Sequence, residues 1–462
     1  MNEDNLKSLK IAFFPLLRTT FDVVYAQQMI DSARQSLLHA GFDLIEPEQP
    51  IKDIDDAVRA ASLIAKQQID TLLIFQATFA DSTMVTTLTK STTSPIFLWA
   101  VPEGWTGGRL RLNSLCGINL AGHALTRQGQ KYYYGYGPPD DEAVLKKLQT
   151  LSKVGALKRY LESTKLGVIG EHPEGFDSCH LDKDALNSAF GIQVESIPLE
   201  TIFDRARGIS EQAVSSVRTE LDQILDNLST LDQNALMGTL RVYVALRSVA
   251  KEKGLDGLAV RCWPEFFTEM GCAACGAMSM LSDGFSNNIP IPCSCEADIN
   301  GTVTQLILQY LSAGPSFGTD IVGVDRDKNQ IALWHCGLAP LSMANPDEQP
   351  HGTIHSNRQL PLLMDFTLKP GGITFARISQ AGAKLQLVIG EGEMLNVPKP
   401  FSGTAGTLRP NCNAEYFLDS LLHQGLEHHL SMTYGHFATE FKLLAECINL
   451  RILMMDDQEV KI

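Results

Sequence analysis

Leu9-Lys-Ile-Ala-Phe-Phe14 is a short, mostly apolar and β-prone run, and after Pro15 the segment from Tyr25 to Ala40 sets Ala26, Met29, Ile30, Ala33 and Leu37 at the spacing of an amphipathic helix. The same strand-then-helix alternation recurs downstream. Phe42 to Ile45 reads as a strand, Asp53 to Gln68 as a helix, Thr71-Leu-Leu-Ile-Phe75 as a strand and, after another helix, Pro95 to Val101 as a further strand. Short buried strands separated by helices predict a parallel α/β sheet. The looser stretch Pro102-Glu-Gly-Trp-Thr-Gly-Gly108 closes the pattern, and a loop from Tyr132 to Pro139 leads into a lysine-containing helix, which sets the first boundary near residue 163. A second α/β unit starts at Lys165-Leu-Gly-Val-Ile-Gly170. Beyond Pro340 the pattern changes to short alternating segments, Leu362 to Leu368, Ile373 to Ile378 and Lys384 to Ile389, around the turn Pro370-Gly-Gly372. The expected fold is α/β: two N-terminal Rossmann-like α/β domains, residues 1–163 and 164–340, followed by a β-rich, barrel-like domain over residues 341–462 that includes a terminal helix.

At 462 residues the chain is long enough for two to four packed units. Lys and Arg number 38 against 53 Asp and Glu, and a net charge of −15 repels phosphate backbones and anionic lipid, which disfavours nucleic-acid and membrane partners. No run approaches the 18 or so consecutive apolar residues of a spanning helix. Met1-Asn-Glu-Asp-Asn5 carries acids where an export signal carries positive charge, so the expected compartment is the cytoplasm, with the ten cysteines reduced.

Cysteine, histidine, tryptophan and acids concentrate between Ala259 and Pro340. Asp320 to Asp325 and Gln330 to His335 read as the strands of a hairpin around Arg326-Asp-Lys-Asn329. Pairing 325 with 330 and stepping outward sets Asp320 opposite His335, with Cβ atoms about 5 Å apart. Such a pair can bind a metal ion, exchange a proton, or simply hydrogen-bond at the hairpin mouth. Glu296 follows the apolar run Ile289-Pro-Ile-Pro-Cys-Ser-Cys295 and precedes a helix carrying Val303, Leu306, Ile307, Tyr310 and Leu311 on one face. It therefore stands at the carboxyl end of a strand, the edge where open α/β sheets bind ligands. The return segment Ala313–Thr319 can span about 23 Å when extended, enough for Glu296 and Asp320 to converge. A second histidine cluster, Gly425-Leu-Glu-His-His-Leu-Ser-Met-Thr-Tyr-Gly-His436, leads into a helix through Phe437, Phe441, Leu444 and Ala445. Adjacent histidines face different directions on a helix, so one of His428 and His429 at most is expected at a given site. Two carboxylates with one histidine suit Mn²⁺ or Mg²⁺. Cys272-Ala-Ala-Cys275 with Cys293-Ser-Cys295 is a rival zinc-thiolate pattern, but its second pair has the wrong spacing, and buried packing is the stronger reading of these thiols.

Arg261-Cys-Trp-Pro264, Cys295-Glu-Ala-Asp-Ile-Asn-Gly301, Phe317-Gly-Thr-Asp320, Leu333-Trp-His-Cys-Gly337 and His428–His436 together resemble the L-fucose isomerase and L-arabinose isomerase superfamily of metal-dependent aldose–ketose isomerases. The resemblance implies that Glu296, Asp320 and His429 hold Mn²⁺, with Mg²⁺ or Co²⁺ as alternatives, and that Glu296 and Asp320 are the acid–base pair of a cis-enediol mechanism. It leaves His335 as an outer or conditional ligand, with Trp263 and Arg409 near the substrate. It further implies a monosaccharide substrate and a homo-oligomer, trimeric or hexameric, with sites at subunit contacts. Divergent members of the superfamily act on sulfoquinovose, a glucose bearing a sulfonate at C6. That substrate requires cations at the sugar tail, for which Arg409, or Arg109 and Arg111, are candidates against an ordinary surface role. A non-catalytic sugar-binding protein is the competing functional class.

Overall fold

The computed structural model describes residues 9–382 and 384–455. The chain divides into two compact units, one ending at Tyr160 and the other beginning at Leu161. In the first, β1 (Lys10–Leu16), β2 (Asp43–Ile45), β3 (Thr71–Gln76), β4 (Ile96–Ala100) and β5 (Tyr133–Tyr136) form a parallel sheet in the order β2-β1-β3-β4-β5. β3 and β4 are buried at every position and β1 at all but its first, because helices cover both faces; hence the unbroken apolar runs in the sequence. Phe75 meets Trp99 edge to face at 5.6 Å, and the buried Trp99 indole donates to Gly137 O at 3.0 Å. Asp22, Asp53 and Asp81 start the helices Val23–His39, Ile54–Ile64 and Ser82–Thr89, each accepting from a backbone N–H of the first turn.

The second unit joins another parallel sheet to a barrel. β6 (Lys165–Ile169), β7 (Gln193–Ile197), β8 (Gly257–Val260) and β9 (Cys293–Ser294) take the order β7-β6-β8-β9. The long helix Gln233–Lys253 begins at Asp232, which accepts from Asn234 N and Ala235 N, and stops at Gly254, whose φ of 63° suits glycine. There follow β10 (Phe317–Asp325), β11 (Gln330–His335), β12 (His351–Thr353), β13 (Leu363–Thr367), β14 (Gly371–Ser379), β15 (Gln386–Met394), β16 (Thr404–Pro410), β17 (His429–Tyr434) and β18 (Arg451–Met454). Six of them close into a barrel, β16-β11-β10-β17-β14-β15 and back to β16. β13 and β18 extend it in parallel at β16 and β15, and β12 pairs with β13. The barrel thus draws on sequence from both sides of residue 340. The helix Ile299–Ser312, buried from Ile299 to Tyr310, packs against β8 on one side and β14 and β17 on the other. One hydrophobic core, including Leu258, Phe317, Phe375 and Met432, runs through both parts.

Two sequence expectations change. Asp325 does pair with Gln330, but a bulge between Ile321 and Gly323 inserts Val322, so Asp320 faces Trp334 instead of His335. The histidine pair does not lie on a helix, since His429 opens strand β17, whereas the helix expected through Phe441, Leu444 and Ala445 does follow, over Ala438–Cys447. β-Branched and aromatic residues at Thr433 and Tyr434, with buried neighbours from His429 to Thr433, favour the pleated surface there. Among the described residues no helix is long and apolar enough to cross a membrane.

Gly155 shows how closely the helix Glu142–Glu162 approaches its sheet: a Cβ there would lie 1.8 Å from Asp70 O. The same Asp70 accepts from Arg159 Nη2 at 2.7 Å and Lys10 N at 2.8 Å. Alanine normally favours a helix by about 1 kcal/mol over glycine. Here Gly155→Ala is expected to destabilise the chain instead, by about 1–3 kcal/mol, read as a lower denaturant midpoint.

Candidate active site

Glu296 leaves β9 through a turn in which Glu296 and Ala297 both have φ of 57°, the left-handed region that residues with a Cβ enter only under constraint. The turn ends at Asp298, which caps the helix Ile299–Ser312 by accepting from Gly301 N at 2.9 Å. Asp320 on β10 and His429 on β17 are directly opposed across an antiparallel pair, so their side chains rise on the same face. His429 Nε2 lies 3.3 Å from Asp320 Oδ1 and 3.8 Å from Glu296 Oε2. Glu296, Asp320 and His429 therefore come together, although they belong to three separate elements.

His335 joins them. Its ligand atom lies with those of Asp320 and His429 within 4.8 Å, and a second such group comprises Glu296, His428 and His429. Both adjacent histidines thus reach Glu296, with His428 Nε2 at 3.3 Å from Oε2. This reverses the expectation that one at most could do so: the strand and its entry loop let His428 approach from the rim while His429 points in. Trp263 donates from Nε1 to Glu296 Oε1 at 3.3 Å and so fixes the other carboxylate oxygen. Arg409 is elsewhere in the chain. It pairs with Glu393 at 3.2 Å on an exposed face of the barrel, five residues along β16 from Thr404, the partner of His335, or about 16 Å. Arg111 is likewise bonded to Asp22 at 2.9 Å, and Arg109 to Thr20 O at 3.2 Å. Cys272, Cys275, Cys293 and Cys295 are buried and free, and among the described residues no metal-competent group contains any of them.

Behind these residues is a layer that the sequence reading did not assign. His429 Nδ1 donates to Asp298 Oδ2 at 2.9 Å, and Arg377 grips both Asp298 oxygens, Nη2 to Oδ1 at 3.0 Å. Asp298 and Arg377 are 2% and 1% exposed in their side chains, so neither charge could stay without the other. Arg377 Nε also lies 3.8 Å from Glu427 Oε2. Burial alone would raise the Asp298 carboxyl, but the Arg377 guanidinium and the His429 bond hold it far below the ordinary range. Burial would likewise lower His429, yet its bond to Asp298 and the Asp320 carboxylate 3.3 Å from Nε2 raise it well above an ordinary histidine. Asp320 is lowered as well: burial opposes this, and the charges on His335 and His429 prevail. Cys179, from the turn Asp177–Cys179, completes the wall with its thiol 3.8 Å from Glu296 Oε2. Two signals for this layer were present in the sequence: Asp298 two residues after Glu296, and a lone arginine inside the apolar run Ile373–Ile378.

A carboxylate pair beside a histidine, one of whose nitrogens is reserved by a buried acid, is a site for moving protons on a small polar molecule. The comparisons with known proteins give the same class. Residues 15–161 match the model described as fucose/sulfoquinovose isomerase, N-terminal domain, and residues 363–456 match L-fucose isomerase, C-terminal domain. The sulfoquinovose isomerases of Priestia aryabhattai and Priestia megaterium are each 31% identical over 452 residues, 96% of this chain and 99% of theirs. That of Alkalicoccus urumqiensis is 30% identical, covering 97% of this chain and all of its own. The fold and site define an aldose–ketose sugar isomerase. The chain belongs to the fucose/sulfoquinovose isomerase family, part of the L-fucose isomerase superfamily.

Asp298→Asn removes the carboxylate that Arg377 grips at both oxygens and leaves the buried guanidinium only the looser ion pair with Glu427 at 3.8 Å. It is expected to cost about 3–5 kcal/mol of stability, measured by chemical denaturation, whereas Arg409→Gln, which breaks an exposed pair, should shift stability by less than about 1 kcal/mol.

Proposed function

We propose that this chain is a divalent-metal-dependent sulfoquinovose isomerase, converting the aldose to its ketose through a cis-enediol. The observation that carries the metal assignment is the convergence of Glu296, Asp320 and His429 around an incompletely satisfied acceptor: Asp320 Oδ1 is buried without a well-formed hydrogen bond, His429 Nε2 standing 3.3 Å from it. A buried anionic oxygen so placed is costly, and a hard cation held between the carboxylates and the imidazole satisfies it. Hard oxygen donors with one imidazole favour Mn²⁺, then Mg²⁺ or Co²⁺. Full-length likeness to proteins named sulfoquinovose isomerase supports the substrate.

Glu296, Asp320 and His429 are the residues that would hold the ion. Their assignment rests on tautomers as well as on distance. His429 gives its Nδ1 proton to Asp298, which leaves Nε2 as the lone-pair nitrogen of the neutral ring, turned toward both carboxylates. His335 is set the other way. Its Nδ1 accepts the backbone N–H of Cys336 at 2.9 Å, so the neutral ring carries its proton on Nε2 and serves as a donor to Asp320 or to a sugar oxygen. When bound, the ion supplies Lewis-acid polarisation of the sugar's carbonyl and adjacent hydroxyl. One of the two carboxylates takes the proton from C2 and the pair returns a proton to C1, while the hydroxyl proton passes between O2 and O1, so the sugar is neither oxidised nor reduced overall. Trp263 and His428 hold the Glu296 carboxylate at both oxygens, which orients it for that transfer.

The buried, unbridged thiols of Cys179, Cys262, Cys272, Cys275, Cys293 and Cys295 support a reducing compartment, consistent with a cytoplasmic enzyme.

Incubating chelator-stripped protein in deuterated water with sulfoquinovose, L-fucose and L-arabinose, with and without Mn²⁺, is expected to give metal-dependent ketose formation and deuterium uptake from sulfoquinovose. Equal turnover after chelation would reject the metal reading, and conversion of a neutral sugar alone would reject the substrate. Glu296→Gln and Asp320→Asn are each expected to lower kcat by about 10²–10⁴-fold. Because the metal-free site keeps His429 protonated at neutral pH, uptake of Mn²⁺ must release that proton. Calorimetry in buffers of different ionisation enthalpy should register about one proton released per ion near pH 7. Affinity should rise with pH, and His429→Asn should abolish the proton.

A further inference from the structure

Beside Glu296 the site is walled by a shelf of rings. The Trp263 indole bonds Glu296 through Nε1, Phe176 packs on it edge to face at 5.3 Å, and the Arg358 guanidinium carbon stands 5.9 Å from its centroid and 6.0 Å from that of Phe267. Arg358 is carried on a tied turn. His355 N donates to Leu360 O at 3.0 Å and Gln359 N to His355 O at 2.7 Å, while the His355 ring lies 5.1 Å from Phe267.

The charge near Arg358 is what distinguishes it. The other arginines around the site are already neutralised: Arg377 by Asp298, and Arg261 by Glu265 at 2.8 Å. Arg358 is exposed and forms no ion pair with any acid among the described residues. A guanidinium held within about 6 Å of two rings and paired with no acid keeps its hydrogen-bond donors available. The opposite end of the shelf is anionic, with Glu296, Asp298 and Asp320 clustered about His429. An anionic substrate entering such a site needs a fixed cation on the side away from these carboxylates.

We propose that Arg358 is the specificity-determining residue that receives the sulfonate of the sugar tail, while Glu296 works at the C1–C2 end; this assignment rests on the sulfoquinovose reading above. The lengths agree. The two contacts of Trp263 place the guanidinium within about 12 Å of Glu296 Oε1, and an extended six-carbon sugar with a proton contact at one end and a charge-assisted hydrogen bond at the other spans about the same. The planar fork of arginine matches two sulfonate oxygens at once, which a neutral 6-deoxy sugar cannot use.

The test compares wild type, Arg358→Met and Arg358→Lys, all Mn²⁺-loaded, on sulfoquinovose, with kcat and KM resolved and 6-deoxyglucose as the neutral counterpart. Arg358→Met is expected to raise KM for sulfoquinovose about 10²-fold or more, with kcat falling much less, and to shift the preference between the two sugars at least tenfold toward the neutral one. Arg358→Lys should recover part of the affinity, because it restores charge without the fork. A loss confined to kcat, or an unchanged KM, overturns the assignment and makes Arg358 a support for Trp263 or a surface charge. If wild type fails to convert sulfoquinovose, the substrate reading fails and this assignment with it. If wild type converts it and Arg358→Met binds it equally well, only the Arg358 assignment falls. The position is exposed, and a thermal midpoint within a few degrees of wild type establishes that each variant is folded.

Discussion

Asp298 is a buried carboxylate whose two oxygens must both be satisfied, and the elements that satisfy them are the ones that build the site. Gly301 N, at the start of the central helix, donates to Oδ1. Arg377, from β14, reaches both oxygens, and His429, at the head of β17, donates to Oδ2. Helix, barrel wall and site histidine are thereby locked together by one charge that has nowhere else to find partners. Position 301 is part of the same constraint: a Cβ there would lie 2.5 Å from Asp298 Oδ2 and 3.1 Å from Arg377 Nη1, so only glycine lets the helix start this close to the pair.

The arrangement divides labour between two layers. Asp298 and Arg377 neutralise one another and hold geometry, while Glu296 and Asp320 stand on the other side of His429, near its Nε2. The turn that presents Glu296 is strained, with two successive residues at positive φ, and the surrounding helix cap and sheet edge keep them there. The bulge at Val322 is a comparable local departure. By setting Asp320 opposite Trp334 on one side while β17 sets it opposite His429 on the other, it puts the carboxylate at the crossing of three strands.

Much of the fold was legible in the sequence because burial leaves a periodic trace. Strands covered on both faces, such as Thr71–Gln76 and Ile96–Ala100, read as continuous apolar runs, and the aspartate-started helices between them read by their spacing. The segments around Glu296, Asp320 and His335 could be singled out from residue chemistry alone, and resemblance to a family chose His429 over its neighbour. Less could be said of the histidine segment's structure. The segment does lead into the expected helix, but the strand that His429–Tyr434 itself forms depends on β10 and β14 being available on either side.

What the sequence by itself determined is therefore the succession of elements and the kinds of side chain available for chemistry, since both depend on local periodicity and composition. What only the tertiary structure decided is who meets whom: Asp320 directly opposite His429 with His335 close by, both adjacent histidines on Glu296, and a lone arginine of an apolar strand on the acid behind them. Strand register, a one-residue bulge and the pairing of buried charges are set by contacts between distant segments, such as Asp298 and His429, 131 residues apart. No window of sequence carries that information, because the energy that selects it exists only once the segments are packed together.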